Sequence, residues 1–141
     1  MTRAGQALEG TAPLVDRVRS AIEEKSLRFV EIAYSSPHGS ELMDDTNRLC
    51  GDLVAEIESR FQEQLTRVFR RAAQAGEIDL GAVSLSAAET VQLLLRSVRG
   101  LKGPGIAVEE YRRGLDALAR VFVAGLRPRS APRPRPRLRA V

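Results

Sequence analysis

Ser86 to Leu126 reads SAAETVQLLLRSVRGLKGPGIAVEEYRRGLDALARVFVAGL, and the fold follows from how its apolar residues recur. Ser86-Ala-Ala-Glu89 is a capping box, in which a hydroxyl and a carboxylate three residues apart satisfy each other's backbone N–H groups at a helix start. Behind it Ala87, Val91, Leu94, Val98 and Leu101 alternate spacings of four and three, a heptad stripe. Gly103-Pro104-Gly105 is a turn. A last helix, from about Ile106 to Leu126, opens with Glu109 and Glu110, where the helix dipole favours acids. It repeats Val108, Tyr111, Leu115, Leu118 and Phe122 at the same heptad spacings. Leu95, Ala119, Val123 and Leu126 widen both stripes beyond what one partner helix covers. An antiparallel pair with two apolar faces has one for its own domain and one for a symmetry mate. The expectation is a homodimer, with Val91, Leu94, Leu95, Val98, Tyr111, Leu115, Leu118 and Phe122 in a four-helix interface. The alternative is that both faces are buried inside one monomer.

Working outward, nearly everything before this pair has helical periodicity as well. A first helical region spans about Ala12 to Ser35, with Thr11 as cap, Pro13 in the first turn, and Val15, Val18, Ile22, Val30 and Ala33 at turn spacing. Ser26 interrupts its stripe, so a break near Lys25 is one reading, and Pro37 ends it. A long region from about Ser40 to Ala75 places Leu42, Leu49, Leu53, Ile57, Phe61, Leu65, Val68 and Ala72 along one face and stops at Gly76, a left-handed terminator. Gly51 is a candidate bend. The fold class expected is all-α, a helical bundle of about five helices. Residues 1–11 read as a flexible start, 12–126 as one helical domain, and 127–141 as a disordered Arg/Pro-rich tail.

Charge divides sharply along the chain. The tail, RPRSAPRPRPRLRAV, holds six of the 22 basic residues and none of the 18 acidic ones, so residues 1–126 carry 16 against 18, a net of −2. Its prolines cannot continue a helix and favour an extended, solvated conformation. Of the 22 basic residues 20 are arginine, the bias of a GC-rich coding genome. No apolar run approaches the roughly 18 residues that a membrane span requires. The single cysteine, Cys50, cannot form an intramolecular disulfide, and no charged start with a following apolar run marks a signal peptide. A cytoplasmic protein without membrane contact is expected.

SPHGSELMDD, Ser36 to Asp45, sets the one histidine, His38, beside Glu41, Asp44 and Asp45. A helical di-metal site needs Glu-x-x-His motifs on two helices, and a zinc-protease site needs two histidines. One histidine supplies neither. The simpler reading is a helix start, with Ser40 as cap and the three acids in the first turns. Cys50 is too far along from His38 to pair with it as a nucleophile, and reads as a small buried residue. With no phosphate loop or nucleophile elbow, no enzyme, metal or cofactor is expected.

The order of first helix, SPHGSELMDD, long helix ending RRAAQAGEIDL, capped helix SLSAAETVQLLLRSVRGLK and final helix VEEYRRGLDALARVFVAGL resembles the carboxy-terminal half of TetR-type bacterial transcriptional regulators. The resemblance covers about residues 12 to 126. It implies an all-helical domain that binds a small effector and dimerises through its last two long helices. Members of that family are repressors that read operator DNA with an amino-terminal helix-turn-helix, and the eleven residues MTRAGQALEGT cannot hold one. The chain is then a fragment, a protein with a start assigned too late, or a stand-alone sensor. Operator DNA is a partner only through a missing helix-turn-helix.

The resemblance places the effector cavity among the first helical region, the long helix and the capped helix. The candidate lining is Phe29, Tyr34, His38, Met43, Phe61, Leu65, Phe69, Leu93 and Arg96, with Arg96 as anchor for an anionic group. A hydrophobic or amphipathic effector is implied. A second reading makes the helical body a dimeric carrier of the tail, whose Arg133, Arg135, Arg137 and Arg139 contact nucleic acid without sequence preference.

Overall fold

The computed structural model describes residues 3–34 and 38–129, without the side chains of residues 28–34, 39, 40, 42, 43, 46 and 47. Five α-helices follow one another: α1 (Arg3–Leu8), α2 (Leu14–Tyr34), α3 (Gly39–Gln74), α4 (Ala87–Gly100) and α5 (Val108–Gly125), with a 3-10 turn at Gly81–Val83 before α4. Among the described residues there is no strand, and the fold class is all-α.

The stretch expected as a flexible start instead carries α1. Ala4 and Leu8 are buried with Leu14 and Val18 of α2, so the short helix is held by packing, not by its own propensity. Arg17 fixes its end. Nε donates to Ala12 O at 2.9 Å and Nη1 to Leu8 O at 3.3 Å, which satisfies carbonyls that a helix end leaves open. Its Nη2 lies 3.7 Å from Glu77 Oε2, tying α1 and α2 to the segment after α3.

α2 runs unbroken through Lys25 and Ser26, so Ser26 interrupts the apolar stripe without breaking the helix. α3 begins at Gly39 with His38 as its cap residue and no side-chain cap bond, in place of the cap expected at Ser40. Its backbone leaves helical geometry at Cys50 (φ −124°, ψ 24°), one residue before the expected bend at Gly51. The far end closes as a Schellman motif: Glu77 N donates to Ala72 O at 2.9 Å and Gly76 N to Ala73 O at 3.2 Å. Gly76 supplies the left-handed φ of +75° that this closure requires. Asp79 N then donates to Leu126 O at 2.7 Å, joining the α3–α4 connection to the end of α5.

The capping box at α4 is formed, with Glu89 N donating to Ser86 Oγ at 3.1 Å and Ser86 N to Glu89 Oε2 at 2.8 Å. α5 lies chiefly on α2 and α4 chiefly on α3, while α4 and α5 touch each other less, and Leu101, the cap residue of α4, packs on Gly114 of α5. There a Cβ on Gly114 would stand 3.3 Å from Leu101 Cδ2. Along the α2–α5 contact, Glu23 receives Arg19 and Arg112, both at 3.0 Å.

Five of the eight residues expected at a dimer interface are already covered within the single chain. Val91, Leu94, Val98, Tyr111 and Leu115 are all buried within the single chain, at 0–3% exposure. Helices α2 and α3 of the same chain cover the stripes that a symmetry mate was expected to cover. Each such side chain contributes about 1.5–3 kcal/mol by leaving water, so the monomer core holds them firmly. Leu95, Leu118 and Phe122 are partly buried and pack against that core from its edge.

Candidate functional site

Where α2, α3 and α4 diverge, they leave a cavity of about 360 Å³. Its apolar wall is Ile22 from α2, Phe61 from α3, and Leu95 and Val98 from α4. Ser26, only 5% exposed, brings a hydroxyl to it. Lys25, Glu58, Arg99 and Lys102 complete the lining. A wider groove of about 790 Å³ runs on along α3 and α4, sharing Glu58, Leu95 and Arg99 with the cavity and adding Gln62, Thr66, Arg67 and Arg70.

The local sequence explains why these side chains meet. Ile22, Lys25 and Ser26 sit three and four residues apart, on one face of α2. Glu58 and Phe61 do the same on α3, and Leu95, Val98, Arg99 and Lys102 on α4 and its end. Lys25 Nζ forms an ion pair with the Glu58 carboxylate and lies 4.8 Å from the centre of the Phe61 ring, a cation–π distance. This contact links α2 to α3 across the cavity.

Burial pushes the Lys102 ammonium below its ordinary pKa; the nearby Lys25 adds to that, Glu58 opposes it, and Arg99 lowers it further. Tyr111, fully buried, keeps its hydroxyl without a hydrogen bond of good geometry. Burial raises its phenol above the ordinary range, a polar contact with Ser26 opposes this, and Glu23 adds to the rise.

Of the residues expected to line an effector site, Phe61 does so. Leu65 and Phe69 are fully buried in the core and do not line the cavity. Leu93 is half exposed and Arg96 exposed, neither lining the cavity; the α4 cation that lines it is Arg99, one turn further along. His38 is exposed at the start of α3, with Nδ1 3.7 Å from Glu41 Oε2, and is not at the cavity. The side chains of Phe29, Tyr34 and Met43 lie outside the described residues, as do Arg133, Arg135, Arg137 and Arg139. Cys50, expected to be buried, is exposed at the α3 kink. Among the described residues no group of three or more His, Cys, Asp or Glu side chains is placed to hold a metal, and no helix is long and apolar enough to cross a membrane.

Neither known families, curated proteins nor solved structures match this chain. The site therefore stands on its geometry. Sequence reasoning missed Lys25, Ser26, Glu58, Val98, Arg99 and Lys102. The signal that pointed to them was Ser26, a polar residue at a core position of an apolar stripe. The two lysines of an arginine-rich chain were a second signal.

Proposed function

We propose that residues 12–126 are a ligand-sensing and dimerisation domain of the kind that TetR-type repressors carry after their DNA-binding half, acting in the cytoplasm. The effector is a small hydrophobic or amphipathic molecule. The observation that supports this reading is the cavity among α2, α3 and α4, the three helices between which the resemblance puts the effector. Its volume and its mixture of an apolar wall with a few polar groups suit a small-molecule site. Occupancy would favour one arrangement of these helices over another, and a helix-turn-helix, where one is joined, would carry that change to operator DNA.

In this reading self-association uses the outer edge of α5, where Leu118 and Phe122 are partly exposed and Val121 is 73% exposed, together with Leu93 of α4. The test of sensing is a thermal-shift screen of the full chain against small amphipathic compounds. A ligand at 100 times its dissociation constant stabilises the fold by roughly 2.7 kcal/mol. A flat response across the screen would count against the cavity as a binding site. Sedimentation of the wild type and of Val121→Glu tests the dimer, which the added charge should dissociate.

A further inference from the structure

Among the described residues three polar side chains are buried: Ser26, Thr66 and Thr90. Both threonines return their hydroxyls to their own helices, Thr66 Oγ1 donating to Gln62 O and Thr90 Oγ1 to Ser86 O, each at 2.8 Å. Ser97 on α4 does the same to Leu93 O at 2.9 Å. A bond back to the carbonyl four residues earlier is one way a helical hydroxyl is satisfied out of reach of water. Ser26, as deeply buried and inside α2, makes no such bond among the described residues. Its polar contact is the hydroxyl of Tyr111, which is fully buried and has no hydrogen bond of good geometry itself. Two hydroxyls in contact carry two O–H donors; one can point at the neighbouring oxygen, and the other then needs an acceptor from elsewhere. Ser26 lines the cavity, so the cavity is where an acceptor can reach it.

We propose that the cavity takes a small, mostly apolar molecule with a carbonyl-type acceptor at its buried end. The Ser26 hydroxyl donates to that oxygen, the Tyr111 hydroxyl donates to Ser26 Oγ behind it, and the apolar body packs on Ile22, Phe61 and Val98. The inference rests on the reading of this cavity as a ligand site and names the ligand's polar group. A buried hydroxyl without a well-formed hydrogen bond costs free energy that an alanine at the same core position would not. A bound carbonyl completes the chain of hydroxyls and removes that cost. An alkyl group of the same shape leaves the donor open.

Acetophenone and ethylbenzene have nearly the same shape and differ in the oxygen. Ligand-observed NMR titrations of the full chain with each compound test the proposal, and comparing variant with wild type for one compound at a time cancels their different hydration. Ser26→Ala should weaken acetophenone about fivefold, the factor that one hydrogen bond contributes, and leave ethylbenzene unchanged or slightly tighter. Tyr111→Phe, which retains the Ser26 donor, should weaken acetophenone by less than Ser26→Ala does. Urea midpoints establish that each variant folds. If Ser26→Ala shifts both compounds equally or neither, if Tyr111→Phe costs acetophenone more than Ser26→Ala, or if the wild type binds ethylbenzene alone, the hydroxyl inference falls and the cavity reading stands. Absence of binding by both compounds would overturn both.

Discussion

In the second half of α3, Phe61, Leu65, Val68, Phe69 and Ala72 are buried beneath α1, α2 and α4. In the first half Leu49, Leu53 and Ile57 recur every four residues and are 79%, 57% and 52% exposed. Both halves have the same apolar periodicity, and the break in helical geometry at Cys50 falls within the exposed stretch. Periodicity thus marks a face as eligible for burial; which helix covers it, or whether one does, is decided by contacts far away in sequence. The same distinction separates the inner stripes of α4 and α5, covered by α2 and α3, from the outer edge at Val121.

The largest expected effect tests this contrast directly. Phe69→Ala removes a fully buried ring and should destabilise the fold by about 3–5 kcal/mol, whereas Leu53→Ala, at an exposed position, should stay within about 0.5 kcal/mol. Urea unfolding of the two variants measures the difference. Similar costs would mean that the first half of α3 is covered in solution, and the comparison would fail.

A smaller effect compares two helix starts. Ser86→Ala at α4 removes one arm of a formed capping box and should cost about 1 kcal/mol. His38→Ala at α3, where no side-chain cap bond exists, should change stability by less than about 0.5 kcal/mol. The Ser86 backbone N–H, and then its hydroxyl, hold the Glu89 carboxyl below its ordinary pKa of 4.5. Its contribution is therefore present above pH 4.5 and is lost as the pH falls through the lower folded value. Chemical denaturation at neutral and acid pH should show the wild type losing part of its capping advantage over Ser86→Ala.

These contrasts indicate what could be read in advance. The cap at Ser86, the terminator at Gly76 and the bend beside Gly51 were legible because each depends on a few adjacent residues and their dihedral angles. α1 was not, since Arg3–Leu8 is too short to show a period and exists through burial of Ala4 and Leu8 on α2. The heptad stripes of α4 and α5 were legible as stripes, but heptad spacing is the same whether the covering helix belongs to the same chain or another. The cavity was the least legible. Lys25, Glu58 and Arg99 come from three helices, and only the packing of those helices reveals that the residue interrupting one stripe, Ser26, faces the same space.

The smallest expected effect concerns the covered side, where Tyr111 places a hydroxyl inside the core. A buried hydroxyl without a well-formed hydrogen bond recovers only part of its desolvation cost, here from the Ser26 contact, so Tyr111→Phe should be neutral or slightly stabilising at pH 7. At alkaline pH the variant should separate from the wild type. The folded phenol titrates above its ordinary value of 10.0, so between that value and the folded one the native state holds a proton that the unfolded chain has released. Stability then falls as the pH rises through this window, having been fully present below it. Lys102 works in the opposite sense: its folded pKa lies below 10.5, the unfolded chain binds more protons just below that value, and stability rises with pH until 10.5 is reached. Removing the phenol leaves the lysine's contribution without its opponent. Urea midpoints measured from neutral to strongly alkaline pH should therefore decline less steeply for Tyr111→Phe than for the wild type. Parallel declines would show that the phenol is as well solvated as in the unfolded chain, and that α2 and α5 do not close over it.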